Sequence, residues 1–252
     1  MLTVRSSRPL SQLRIAGEEA QVPLERSADG QVFHGLFGID LARKPGTLSL
    51  VLDGTEIDGS AFSVTRVMRV LSGRFPSEPL RVAPEFVEPP AEALPRIDAE
   101  RERVASIWRE PVGPRHWAGP FRLPVEGSLR DNFGARRVFN GQPRSPHNGV
   151  DFPAPAGTPV RAPAPGRVAL AEELYFSGGT VILDHGGGLF TSYFHLSRLD
   201  VAEGALVRDG QEIGAVGSTG RVTGPHLHWS ARLEDARINP LSLLHLPSWP
   251  LP

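Results

Sequence analysis

Two histidines stand one residue apart in "VTGPHLHWS", Val222 to Ser230. On a strand, residues i and i+2 face the same side, so His226 and His228 can reach one point while Leu227 enters a core. Taken alone, a His-x-His pair is more often a solvated strand face than a site. "PHNGVDF" adds His147 and Asp151. Asn148-Gly149 is a turn signal, and Pro153 and Pro155 follow, so this segment reads as a loop entering a strand rather than as a helix. "FTSYFHLS" adds His195 where a strand ends. Strict alternation puts Thr191, Tyr193 and His195 on one face, with Phe190, Ser192, Phe194 and Leu196 on the other.

The combination says more than its parts. Two imidazoles and one carboxylate form a nitrogen and oxygen donor set suited to Zn2+, and three protein ligands leave a fourth position for water. His195 and one member of the strand pair then remain for proton transfer, which a neutral imidazole with a pKa of about 6.5 can perform. Spacing does not choose which of His226 and His228 would touch the metal. No His-Glu-x-x-His occurs, so the glutamate base of helical zinc proteases is missing.

Composition removes other chemistries. The 252 residues carry 27 basic and 28 acidic side chains, a net charge of −1, and no long run of one sign. A basic nucleic-acid arm is therefore not expected. Cysteine is absent, which excludes disulfides, thiolate zinc sites and thiol nucleophiles. Lys44 is the sole lysine, so "APAPGRVALAEEL" and "VRDGQEIG", although hairpin-like, cannot form a lipoyl or biotinyl carrier. Ser218 in "VGSTG" lacks the glycine two residues earlier that a nucleophile elbow needs, and Gly217–Gly220 reads as a tight turn. Gly186–Gly188 reads as a hairpin turn. His34, His116, His185 and His245 are expected to be structural or superficial.

These side chains must be positioned mainly by strands. Glycine (27) and proline (25) punctuate short β-branched runs, which implies a mostly β protein. Residues 1–12 read as a tail and 13–75 as an immunoglobulin-like β sandwich. Within the latter, Leu48, Leu50 and Leu52 alternate toward a turn at Asp53-Gly54. Residues 76–118 read as a Pro-rich linker. It contains one amphipathic helix, 97–109, with Ile97, Val104, Ile107 and Trp108 on its apolar face. Residues 119–240 read as an antiparallel β-sheet domain, and 241–252 as a C-terminal tail. No apolar run approaches the roughly 18 residues of a membrane helix. The first 17 residues hold no apolar signal core.

"HNGVDF", "SYFHLS" and "GSTGRVTGPHLHW", in this order and spacing, closely resemble the lysostaphin/LytM-type zinc metalloendopeptidases that cleave peptidoglycan. "FGARR", with Gly134 and Arg136, resembles the family's Phe-Gly-x-Arg segment. The resemblance covers about residues 119–240, close to half the chain. It implies His147, Asp151 and His228 as zinc ligands, with His195 and His226 as non-ligating catalytic groups. It implies peptidoglycan stem peptides or cross-bridges as the partner, and a monomer. "FGIDLARKPGTLSL" looks like the N-terminal β domain of Gram-negative members, which points to an exported, periplasmic protein whose signal lies outside this sequence. Some family members lack ligands and regulate other wall hydrolases; the complete ligand set here favours an active enzyme. Some relatives are latent, with a preceding segment in the metal's open position.

Overall fold

Alternation along "TLSLVLDG" buries Leu48 and Leu50 on one side of a long strand. The structure, a computed structural model, describes residues 1–16, 21–27 and 31–249, and it divides into two compact units, Met1–Arg74 and Phe75–Pro252. The first unit holds β1 (Leu2–Arg5), β2 (Leu10–Ala16), β3 (Gln21–Pro23), β4 (Glu25–Arg26), β5 (Val32–Gly35), β6 (Gly46–Glu56) and β7 (Ala61–Val70). They form two antiparallel sheets, β3-β2-β6-β7 and β1-β5-β4. Leu13 and Ile15 from one sheet share a buried cluster with Phe33 from the other. The first strand begins at Leu2, so residues 1–12 belong to the fold instead of preceding it as a tail. The expected turn at Asp53-Gly54 is also displaced. β6 continues to Glu56, and the chain reverses at residues 57–60, where Asp58 Oδ1 accepts from the Ser60 amide at 2.9 Å. Gly54 is a strand position covered by Phe62, where a Cβ would lie 2.4 Å from the ring. Its lack of a side chain serves close packing, not a turn.

The second unit holds β8 (Ser77–Leu80), α1 (Leu94–Trp108), β9 (Arg136–Phe139), β10 (Gln142–Pro143) and β11 (Gly149–Pro153). It continues through β12 (Pro159–Arg161), β13 (Gly166–Leu174), β14 (Gly178–Asp184) and β15 (Leu189–Leu199). Last come β16 (Leu206–Val207), β17 (Glu212–Val216), β18 (His226–Leu233) and β19 (Ala236–Ile238). Its main sheet has nine strands, with β11-β18-β15-β14-β13-β16 as the spine and β12, β17 and β19 attached. Every pairing in it is antiparallel.

The two faces of this sheet do different things. One face buries Val150, Phe152, Val181, Tyr193, Leu227 and Trp229 against β12 and β17. On the other, Ile182 and Phe190 pack with Ile107 of α1. By alternation, Asp151, Phe194, His226 and His228 also project on that second face, where the helix does not fill it. The sheet thus offers one sealed core and one open shelf.

Residues 76–118 are more than a connector. β8 pairs in parallel with β9, Ser77 opposite Arg136. Pro79 is tolerated because β8 lies at the edge of its three-stranded sheet. A parallel partner 59 positions away leaves no local sequence signal, which is why the segment reads as coil. The helix starts at Leu94 rather than residue 97, with Pro95 in its first turn, where a missing amide costs nothing. It ends at Trp108 rather than residue 109. Residues 241–249 are not a free tail: Leu243, Leu246 and Trp249 are buried, and Trp249 meets Trp117 edge-on at 5.5 Å.

The alternation expected along β15 breaks at one residue. His195 has φ of +67°, and four residues of β15 (Tyr193 to Leu196) span three of β14 (Val181 to Gly179). This bulge puts Tyr193 and Leu196 in the same core cluster and releases His195 to the opposite face. His195 therefore does not share a face with Tyr193, contrary to strict alternation.

Candidate metal centre

β11 and β18 place Asp151 directly opposite His228, and the loop before β11 brings His147 to the same point. His147 Nε2 lies 2.7 Å from His228 Nδ1 and 3.2 Å from Asp151 Oδ1, and His228 Nδ1 lies 3.0 Å from Asp151 Oδ1. These separations are slightly below the ligand–ligand edge of about 3.3 Å that a tetrahedral ion with bonds of about 2.0 Å requires. The proton on His147 Nδ1 is used, because that atom donates to the Asn132 carbonyl at 3.1 Å. Its Nε2 therefore aims a lone pair at the centre. Burial brings His228 down to about 3, so it is neutral near pH 7. Its other nitrogen, Nε2, is buried without a partner, which commits Nδ1 to the centre. Burial opposes the charge on Asp151, but the adjoining His147 and His228 rings outweigh it and hold the carboxyl well below its usual range. Two imidazoles and one carboxylate converging in a buried site fit a divalent cation.

A surrounding set of side chains fixes these groups. Asn132 Nδ2 donates to Asp151 Oδ2 at 2.8 Å, and Arg137 reaches the same oxygen at 3.4 Å, so Oδ1 is left for the centre. Arg130 pairs with the buried Glu78 at 2.8 Å, beside Arg137. Phe194 stacks on His228, with centroids 5.1 Å apart and planes 7° from parallel. Gly149 lies opposite Ser230, where a Cβ would come within 2.3 Å of the Trp229 carbonyl and 2.7 Å of His228 Nε2. Sequence reasoning singled out Arg136 in "FGARR", but Arg136 is exposed, and it is Arg137 that reaches Asp151. Asn132, Arg137 and Glu78 carry no motif that spacing could reveal.

His195 and His226 stand beside this cluster, with ring centroids 4.9 Å apart. His195 Nδ1 donates to the Thr219 carbonyl at 2.9 Å, and His226 Nδ1 donates to the Gly224 carbonyl at 2.8 Å. Both rings therefore present Nε2 as an acceptor. His226 Nε2 lies 3.8 Å from Asp151 Oδ1, outside the convergent set. Burial, then the neighbouring His226 and His228, lower the pKa of His195 well below its ordinary value. Thr219 also ties the Gly217–Gly220 segment, read from sequence as a tight turn but without one in the structure, to the sheet: its hydroxyl donates to the Leu196 carbonyl and accepts from the Gly179 amide, both at 2.9 Å.

The other conspicuous groups lie elsewhere. His185 is fully buried in a chain of hydrogen bonds: its Nδ1 donates to the Pro165 carbonyl, and its Nε2 accepts from Thr191, each at 2.7 Å. The glycines 186–188 join β14 to β15 as a hairpin turn. A cleft of about 670 Å³, lined by Arg144, Phe176, His195, Arg221 and His228, opens beside the cluster. A smaller cavity of about 240 Å³ reaches Asp151 and His226. No helix among the described residues is long and apolar enough to cross a membrane.

Comparison with known proteins places this geometry in context. Residues 145–240 match the family described as Peptidase family M23. The peptidoglycan DD-endopeptidase ShyA of Vibrio cholerae is 41% identical over 121 residues, 47% of this chain and 28% of the relative. The DD-carboxypeptidase/endopeptidase Mpg of Neisseria meningitidis is 48% identical over 97 residues, 38% of this chain and 22% of the relative. The matched stretch thus spans only about a quarter of these curated relatives. A crystal structure from Pseudomonas aeruginosa assigned to peptidase M23 superposes with a TM-score of 0.72 at 32% identity, covering 96% of this chain and 92% of that one.

Proposed function

The chain belongs to peptidase family M23, and from this membership we propose that it is a zinc-dependent endopeptidase hydrolysing peptide cross-links of bacterial peptidoglycan in the cell envelope. The observation that carries the proposal is the convergence of His147 Nε2, Asp151 Oδ1 and His228 Nδ1 within 3.2 Å of one another, beside two histidines with free Nε2 atoms. The name of the Vibrio relative supports peptidoglycan as the substrate.

In this reading His147, Asp151 and His228 hold the zinc. The ion supplies Lewis acidity to the scissile carbonyl and to the attacking water. Asn132 and Arg137 hold the Asp151 carboxylate so that Oδ1 faces inward. His195 accepts a proton at Nε2, because its Nδ1 proton is fixed on the Thr219 carbonyl and burial keeps the ring neutral. His226, also tethered at Nδ1, offers a second imidazole edge to the reacting groups. The two rings share acceptance of the water proton and its return to the leaving amine.

The test is mass spectrometry of peptides released from purified peptidoglycan, with zinc measured on the same sample. The expected result is release of cleaved cross-links that stops with a chelator and returns with zinc. Zinc-loaded protein that releases nothing from several wall types would overturn the reading.

A further inference from the structure

We propose that the guanidinium of Arg221 is a specificity-determining group that receives a carboxylate of the substrate beside the metal centre; this rests on the peptidase reading above. Arg221 follows the Gly217–Gly220 segment, and its amide donates to the Phe176 carbonyl at 2.8 Å. Its Cζ lies 4.7 Å from the ring centroid of Phe139 and 4.7 Å from that of Phe176. The rings attract the cation but offer its N–H donors no acceptor. Among the described residues no carboxylate pairs with it.

Its neighbours make this arrangement unusual. Arg137, in the same cleft, has Asp151 and Glu78. Arg144 donates to the Val87 carbonyl at 2.9 Å and to Gln142 at 2.7 Å, so it is hydrogen-bonded but not neutralised. Burial first, then Arg137 and Arg144, bring Arg221 down to about 10, which leaves it charged at neutral pH. A partly buried cation with no counter-charge is costly to maintain, and a substrate carboxylate would offset that cost. Arginine suits the task better than lysine, because its planar fork matches both carboxylate oxygens.

Position points to the same role. Arg221 lines the larger cleft together with His195 and His228, and the smaller cavity together with Asp151 and His226. A carboxylate bound there lies next to the bond under attack. This stretch couples the two jobs: the Thr219 carbonyl holds His195, and two residues later the same segment delivers Arg221. The chemical class expected is a peptide with a free carboxylate close to its scissile amide.

The test uses the full zinc-loaded chain and two forms of one probe. The probe is an uncross-linked peptidoglycan stem peptide, either with free carboxylates or with them converted to amides. Calorimetry on the wild type should show the acid binding roughly ten- to a hundredfold tighter than the amide. Arg221→Gln should abolish the preference and Arg221→Lys restore part of it, both with unchanged zinc content. On cross-linked fragments the same preference should appear in KM, not in kcat. Equal binding of acid and amide by the wild type would overturn the proposal, as would no binding of either, or a preference that survives in Arg221→Gln. An Arg221-dependent preference without turnover on any wall fragment would uphold the carboxylate site and defeat the peptidase reading instead.

Discussion

The rings of His195 and His226 lie 4.9 Å apart although the two residues come from strands whose alternation would separate them. The left-handed backbone of His195, φ +67°, turns its ring away from the core that holds Tyr193. Non-glycine residues adopt this conformation at a cost of about 1–3 kcal/mol, and asparagine tolerates it best. His195→Asn should therefore fold, keep its zinc and lose turnover by roughly 10²- to 10⁴-fold. Zinc analysis and hydrolysis rates on the same sample check this. Activity near wild type would remove His195 from the proton path.

The ligand assignment separates two histidines only one residue apart. His147→Ala, Asp151→Ala and His228→Ala should each lose stoichiometric zinc, whereas His226→Ala should retain it and lose turnover. Asn132→Ala should keep the ligands but weaken zinc binding by roughly 10- to 100-fold, because Asp151 loses its orienting partner. Competition with a chromophoric chelator reads all five variants. Full zinc in His228→Ala with loss in His226→Ala would reverse the assignment.

Gly149 stands where β11 passes β18 beside His228. A methyl group there would meet the Trp229 carbonyl at 2.3 Å and His228 Nε2 at 2.7 Å. Gly149→Ala should destabilise the protein by about 1–3 kcal/mol, as overpacking does, and also lower zinc affinity. Urea unfolding with and without zinc measures both effects. A variant of wild-type stability and affinity would show that the strands separate without strain.

His185 predicts a pH dependence well away from the ligands. Burial brings it down to about 4, and its Pro165 hydrogen bond only partly opposes that. The unfolded chain, with a histidine pKa of about 6.5, binds the proton first as pH falls. Stability should therefore decline from about pH 6.5 to about pH 4, by about 3 kcal/mol from this residue, and flatten below. Urea midpoints measured across this range should fall less steeply for His185→Asn than for the wild type. Parallel slopes would mean that His185 is protonated in the folded state.

Much of the candidate site was legible because its chemistry is local. His147 stands two residues before β11 and Asp151 within it, and His226 and His228 share one strand face by the period of two. The fit to a divalent metal ion follows from the donor types. The mostly β character and the one α-helix among the described residues follow from short β-branched runs, glycine and proline punctuation and one apolar helical face. The groups around the ligands were hidden because each acts across a long sequence separation. Asn132 is 19 residues from Asp151, and Arg221 meets Phe139 across 82 positions.

Sequence by itself therefore determined the donor types, the strand pairs that carry them and the family. Tertiary structure alone decided three further points. It brings His228, not His226, within 3.2 Å of both other donors, because β11 sets Asp151 opposite His228 and Pro153 opposite His226. It turns residues 77–80 into a strand, because parallel pairing depends on a distant partner. It also carries His195 to the open face, because one extra residue in β15 inverts the alternation, and a bulge is a property of two strands together.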